Sequence, residues 1–168
     1  SDAEAFLEEL RERLRNFALE LHPEKTRLIE FGRYAAERRE ARGLGKPETF
    51  NFLGFTHICA RTRNDEFQLA RRTMKQRLRA KLHEVKDELR QRQHQPVAQQ
   101  GRYLRAVVSG YFRYHAVPTN TQALNTFRTE TERLWRKTLR ARSQKDGTHW
   151  ARVRALSKRW LPPAQIQH

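Results

Sequence analysis

The fold of this chain is decided by residues 50–71, which read FNFLGFTHICARTRNDEFQLAR. Residues 56–60 and 66–70 are strand-like runs, and the five residues between them contain the pair Asn64-Asp65, which favours a turn. Gly54 allows a close backbone approach just before the first run. This stretch therefore predicts a β-hairpin, with short extended segments around Gly54.

After this hairpin the apolar residues recur every three or four positions, which indicates amphipathic helices. Thr73 followed by Gln76 predicts a capping box, and Asn120 predicts an N-cap. Four helices are expected here: from Thr73 to about Gln91, from about Val97 to His115, from Asn120 to an end near Ser143 to Gly147, and from Thr148 toward Trp160. Tyr111 and Phe112 are expected to lie in the core of this helical part.

Before the hairpin, Ser1 and Glu4 predict another capping box, at the start of an amphipathic helix that Pro23 would end. Residues 26–31 are predicted to form a short strand. Residues 33–46 carry mixed charges and little apolar periodicity, so a mobile surface loop is expected there.

The charge of the sequence points to a polyanionic partner. Lys and Arg number 35 against 19 Asp and Glu, which gives a formal charge of +16 and a pI of about 11.1. The acids outnumber the bases only up to Phe31. Either nucleic acid or an anionic membrane surface would suit such a charge, but three Trp, four Tyr and nine Phe suggest a packed core, which favours nucleic acid over a membrane partner. A single cysteine, Cys59, favours a reducing compartment.

Candidate nucleic-acid-binding residues are cations and aromatic residues at helical spacing. Cations on a rigid helix can release counterions from a duplex, and aromatic rings beside arginines can stack on unpaired bases. A solvated charged face is the alternative interpretation of each group. The candidates in the helical part are Arg71, Arg72, Lys75, Arg79, Arg102, Tyr103, Arg113, Tyr114, Arg133, Arg136, Lys137 and Arg140.

Catalytic chemistry finds little support in the sequence. The seven histidines are scattered without metal-ligand spacing, and carboxylates after Phe31 form no convincing pair for two-metal chemistry. His57 and Cys59 share one strand face, but no acid is placed to orient them. We therefore expect no catalytic residue, no metal site and no cofactor in this chain.

Several motifs together resemble the C-terminal part of a group II intron reverse transcriptase and maturase. Residues 19–26 (LELHPEKT) resemble the motif that follows the catalytic turn of the palm, and residues 50–55 (FNFLGF) resemble the primer-grip hairpin. Residues 103–139, which include GYFRY at 110–114, resemble the maturase segment, and WLPP at 160–163 resembles the family's ending. The similarity covers nearly the whole chain.

This resemblance implies a role for individual residues. Leu53, Gly54 and Phe55 would shape the hairpin that supports the 3′ end of the primer, and Lys25 would lie near the primer-template backbone. The resemblance divides the chain into a palm remnant (1–71), thumb-like helices (72–118) and a maturase segment (119–168). The expected partners are structured intron RNA, an RNA-DNA primer-template and the upstream fingers and palm of the parent protein, in a bacterial-type cytoplasm.

The family's Tyr-x-Asp-Asp turn does not occur in this sequence. The resemblance places those aspartates upstream of residue 1, so magnesium is expected only with that catalytic part. The resulting expectation is an α+β fold, predominantly helical, that binds RNA and assists intron folding and splicing. Two alternatives remain open: a freestanding basic helical nucleic-acid-binding module without polymerase ancestry, and, ranked third, an enzyme.

Overall fold

The computed structural model describes residues 2–142 and 150–166, and within these ranges the fold is α+β and mostly helical, as predicted. These described residues form a three-stranded antiparallel sheet, in the order β1-β2-β3, and six helices. The elements in chain order are α1 (Asp2–Arg15), α2 (Ala35–Ala41), β1 (Phe50–Phe52), β2 (Phe55–Arg61), β3 (Phe67–Thr73), α3 (Lys75–Gln91), α4 (Val97–His115), α5 (Thr121–Arg140) and α6 (Trp150–Trp160).

The chain divides into two compact units, residues 1–48 and residues 49–168. The hairpin lies in the second unit together with α3 to α6. The three segments that the family resemblance defines stay a prediction.

The first unit differs from the sequence-based expectations in three places. Helix α1 ends at Arg15 and does not continue toward Pro23, because the backbone turns at Ala18, whose φ is 55°. The strand predicted for residues 26–31 is wrong: these residues form no strand. An extended segment needs a hydrogen-bonding neighbour, and no other strand lies in the described part of this unit.

The segment expected to be a loop contains the short helix α2. Its first residue, Ala35, is buried, and the side chain of Arg39 donates a hydrogen bond to the Gly45 carbonyl at 3.0 Å. The carboxylate of Glu48 lies 3.2 Å from Arg27 and 3.8 Å from Arg39. These contacts order residues that have little apolar periodicity.

The predicted hairpin is confirmed and extended by β1. Ile58 pairs with Ala70 across β2 and β3, and Phe52 pairs with Phe55 across β1 and β2. Only Leu53 and Gly54 separate β1 from β2, and both have positive φ, 47° and 78°. Two-residue hairpin turns need positive φ because their twist then matches that of the strands.

The core of the second unit is formed by side chains from α3 to α6. Helix α4 spans the predicted residues, and Tyr111 and Phe112 are buried in it as expected. The buried indole of Trp135 donates a hydrogen bond to the side chain of Gln100 at 2.9 Å. The apolar residues of this buried cluster are Val85, Leu89, Leu104, Val108, Tyr111, Phe112, Ala116, Leu124, Phe127, Trp135, Leu139 and Leu161.

The capping box predicted at Thr73 and Gln76 is wrong, because Thr73 ends β3 and α3 begins at Lys75 without a side-chain cap. Asn120 is the N-cap residue of α5, as predicted, but its side chain makes no capping hydrogen bond. The caps predicted at Ser1 and the helix start predicted at Thr148 lie outside the described residues. The end of the third predicted helix, near Ser143 to Gly147, lies there too, while α5 itself ends at Arg140.

Candidate nucleic-acid interface

A cleft of about 790 Å³ lies between α3 and α4, next to the turn of the β1-β2 hairpin. We call it the α3-α4 cleft. Small residues from the facing helices leave the space open, and no atom of a described residue lies within 4 Å of the position that a Cβ on Gly110 would occupy. The residues that line the α3-α4 cleft are Leu53, Gly54, Arg77, Ala80, Lys81, Glu84, Ala106, Val107, Gly110, Tyr111, Tyr114 and His115.

The hairpin turn is attached to α4 at this cleft. The hydroxyl of Tyr114 donates a hydrogen bond to the Leu53 carbonyl at 2.6 Å, and the Tyr114 ring stacks on Phe55 with centroids 5.7 Å apart. Phe55 is buried. Tyr114 is therefore a positioning residue for the turn, whereas the sequence suggested it as a stacking platform.

Leu53 is unusual because it is strained and exposed at once. Its φ is 47°, a region that costs non-glycine residues of order 1 kcal/mol or more, and its side chain is 67% exposed. Gly54 also has a positive φ, 78°, which glycine adopts without strain because it has no Cβ. The sequence-predicted residues Leu53, Gly54 and Phe55 thus form one structural feature, a turn held by the buried Phe55 whose exposed apolar tip, Leu53, lies at the mouth of the α3-α4 cleft.

Helix α3 carries an exposed row of cations along one flank, which we call the α3 stripe: Lys75, Arg79, Lys86 and Arg90. Their spacing places them on one face of the helix over about 22 Å, at 1.5 Å per residue. None of the four forms an ion pair with a residue that the structure describes. Their positive charge is therefore available to a polyanion in solution.

Helix α5 carries a second exposed row, the α5 stripe, formed by Arg133, Lys137 and Arg140 on the face opposite the buried Trp135. Arg133 forms an exposed ion pair with Glu130. Arg136 differs from the other candidates, because its guanidinium lies 4.3 Å from the centroid of the Trp150 ring. Arg136 therefore packs α6 on α5, and it lies beside the α5 stripe.

The remaining candidates are spread over the second unit. Arg102 and Arg113 are exposed on α4, and Tyr103 is half-buried with the Arg92 guanidinium 4.6 Å from its ring centroid. Burial, followed by the nearby Glu88 carboxylate, raises the pKa of Tyr103. The Tyr103 ring therefore packs against the Arg92 guanidinium within the protein.

Two candidates lie on β3, and one lies in the other unit. The backbone N–H of Arg71 donates to the Thr119 hydroxyl at 2.9 Å, while the neighbouring Arg72 is exposed. Lys25 is exposed in the first unit. The structure thus brings together Leu53, Gly54, Phe55 and Tyr114 in the second unit. Lys25 belongs to the first unit.

Sequence reasoning missed several residues that line the α3-α4 cleft, including Arg77, Lys81 and Gly110. Lys81 forms an ion pair with Glu84, while Arg77 has none with a described residue. The available signal was the small residues Ala80, Ala106 and Gly110 on the two facing helices.

Two residues that line the α3-α4 cleft, Tyr111 and His115, belong to an aromatic stack and have shifted pKa values. The ring of Tyr111 lies between those of His115 and Phe127, at centroid distances of 4.0 Å and 3.8 Å. Burial raises the pKa of Tyr111 to about 12. Burial also lowers the pKa of His115, opposed in part by its hydrogen bond with the Tyr111 carbonyl. Both groups are therefore neutral near pH 7.

Within residues 2–142 and 150–166, no group of three or more His, Cys, Asp or Glu side chains is placed to hold a metal ion. In the same ranges, no helix has the length and apolar character that crossing a bilayer requires. The arrangement is thus one of cationic helices, an open cleft and an apolar tip.

Comparisons with protein-family models, with curated proteins and with solved structures found no match to this chain.

Proposed function

We propose that the chain binds structured RNA as the thumb and maturase portion of a group II intron reverse transcriptase, an RNA-directed DNA polymerase. In this role it helps the intron RNA to fold and splice and helps to hold the primer-template. The observation that carries the proposal is the α3 stripe, whose four exposed cations have no ion-pair partner among the described residues.

The physical argument begins with the shape of RNA. The deep major groove of an A-form helix cannot be read by side chains, so proteins recognise RNA duplexes through backbone contacts and shape. A rigid helix with cations along about 22 Å offers several phosphate contacts at once. The α5 stripe offers a second row of the same kind.

The α3-α4 cleft supports the primer-template part of the proposal. Leu53 keeps a strained backbone while its side chain stays exposed, and the hydrogen bond from Tyr114 holds the turn in place. Strain of this kind persists where the surrounding structure imposes it, and it is concentrated at binding sites. We assign this apolar tip to contact with the end of the primer strand.

The test measures the affinity of the chain for a structured intron RNA as a function of salt concentration. The wild-type affinity is expected to fall steeply as salt rises. The double variant K75Q/R79Q should reduce the slope of log affinity against log salt by about two units, because each phosphate contact contributes about 0.9. The matched control K46Q/R63Q removes the same charge from two exposed residues outside both stripes and should leave the slope within about half a unit.

A salt-independent affinity, or equal slopes for the two variants, would refute a phosphate-led interface. Binding of unrelated duplexes as tightly as intron RNA would favour the freestanding module over the maturase. Primer extension with magnesium and nucleotides is expected to give no product from this chain alone, and a product would favour the enzyme.

A further inference from the structure

A second cleft, of about 540 Å³, lies between α5 and α6, and we call it the α5-α6 cleft. We propose that it binds one unpaired nucleotide of RNA, with the phosphate among its cations and the base against Trp150. The inference rests on the proposed function and deepens it, because it assigns a single-stranded unit of the same RNA to a defined site.

The cations of the cleft divide into two that are engaged and two that are available. Arg128 donates a hydrogen bond to the Pro162 carbonyl at 3.1 Å and lies 3.9 Å from the Glu132 carboxylate. Arg154 and Lys158 lie four residues apart on α6, both are exposed, and neither forms an ion pair with a described carboxylate. Arg133 of the α5 stripe also lines the cleft, and it is ion-paired with Glu130.

A buried hydroxyl supplies an independent sign of a ligand. Ser157 lines the cleft, is only 1% exposed, and its hydroxyl has no hydrogen-bond partner among the described residues. A buried polar group without a partner costs about 1–3 kcal/mol, so such groups call for an explanation. Ser157 lies between Arg154 and Lys158 in sequence, and its O–H can donate to a phosphate oxygen that those cations attract.

An aromatic side chain lines the same cleft. Trp150 is 39% exposed, and the Arg136 guanidinium packs over its ring at 4.3 Å. This contact fixes the indole before any ligand arrives. Tryptophan offers a large face to a base, and the stacking of bases on aromatic side chains tolerates any sequence.

Glu132 decides which polyanion suits the site. Its half-buried carboxylate, beside Arg128, lowers the net charge of the cleft and would repel a densely charged phosphate cluster. It can accept a hydrogen bond from a ribose hydroxyl or a base amino group. One phosphate with its sugar and base therefore fits the cleft better than a duplex, in which bases are stacked and paired.

The experiment titrates the full chain with an unpaired pentauridylate and follows tryptophan fluorescence. Trp135 is fully buried and Trp160 packs against Gly101, so a saturable quench is expected to come from Trp150 and to vanish in W150F. Affinity is measured separately by anisotropy of a labelled pentauridylate. W150A should weaken that affinity about tenfold, while W150F, which keeps an aromatic face, should stay within about threefold of wild type.

A charge-matched pair tests the phosphate part. R154Q/K158Q should weaken pentauridylate binding and flatten its salt dependence, whereas K46Q/R63Q, which removes the same charge from exposed residues outside both clefts, should leave the quench unchanged. Equal circular dichroism and thermal unfolding of the variants control for folding.

The failure of this inference is distinguishable from the failure of the proposed function. If wild-type chain binds structured intron RNA but pentauridylate leaves Trp150 emission unchanged, the cleft assignment is wrong and the proposed function stands. If structured RNA does not bind at all, the proposed function fails. A duplex of five base pairs, or inorganic phosphate alone, that quenches as strongly as pentauridylate would also overturn the assignment of an unpaired nucleotide.

Discussion

At the scale of single residues, Asn120 shows how one buried side chain joins the hairpin to the helices. Its side-chain oxygen accepts from the Thr73 backbone N–H at 2.9 Å, and its amide donates to the Thr73 hydroxyl and the His115 carbonyl, both at 2.8 Å. Thr119 makes similar contacts with the backbone of Arg71. The last part of the outer edge of β3, at Arg71 and Thr73, is thereby hydrogen-bonded without another strand.

Replacing Asn120 with alanine is expected to destabilise the second unit by about 2–4 kcal/mol, because it leaves buried polar groups of Thr73 and His115 without partners. Urea denaturation measures the change in the free energy of unfolding. Asn125→Ala, on the exposed face of α5, is the control and should stay within about 0.5 kcal/mol of wild type. Equal effects of the two substitutions would contradict the buried network.

His115 gives the second unit a pH-dependent stability. Burial lowers the pKa of its imidazole below the ordinary 6.5, so the unfolded chain binds this proton more readily than the folded chain. The contribution of His115 to the free energy of unfolding is therefore constant above pH 6.5. The free energy of unfolding should fall as the pH drops from 6.5 through the lower pKa of His115 in the folded state.

Chemical denaturation at pH 7.5 and pH 5 measures this loss, and His115→Gln should reduce it. The two proteins differ only at residue 115, so the difference between their two pH dependences isolates His115. An identical loss of stability in the variant would show that His115 is not the group responsible.

At the scale of elements, the packing of α4 against α6 depends on the absence of a side chain at Gly101. A Cβ at this position would lie 2.6–2.7 Å from atoms of the Trp160 ring. Real carbon atoms do not approach so closely, and a large indole between two helices has little room to move. Gly101 therefore sets the distance between these helices.

Gly101→Ala should destabilise the protein by about 1–3 kcal/mol through overpacking, as measured by thermal or urea unfolding. Gly110→Ala lies on the same helix with open space around the new methyl group, and it should stabilise by about 0.5–1 kcal/mol. A stable Gly101→Ala variant would mean that α6 packs differently on α4.

At the scale of the whole molecule, the large hydrophobic core belongs to one of the two units. The core cluster runs from Val85 to Leu161, inside residues 49–168. In the first unit the helix α1 has no buried residue, and Phe6 and Phe17 are exposed. Cooperative stability should therefore reside in the second unit.

A fragment of residues 49–168 is expected to unfold cooperatively in urea with a midpoint close to that of the whole chain. A fragment of residues 1–48 is expected to lack a cooperative transition, because it buries too little apolar surface. A gradual, non-cooperative loss of structure in the longer fragment would show that its core needs residues 1–48.

The sequence determined the elements whose signals are local. The period of apolar residues placed α4 at residues 97–115, and the Asn64-Asp65 turn placed the β2-β3 hairpin, because side chains one helical turn or two strand positions apart share a face wherever the chain goes. The rows of cations on α3 and α5 could be predicted from the sequence for the same reason, because their members are spaced by whole helical turns.

Only the tertiary structure decided which of those residues meet. Asn120 had the chemistry of a helix cap but bonds to Thr73, Arg136 had the spacing of the α5 stripe but packs on Trp150, and Tyr114 holds Leu53 across 61 positions of sequence. Residues 26–31 had the composition of a strand but no neighbour with which to pair. Contacts between distant residues depend on how helices and strands pack in space, and no pattern along the chain records that packing.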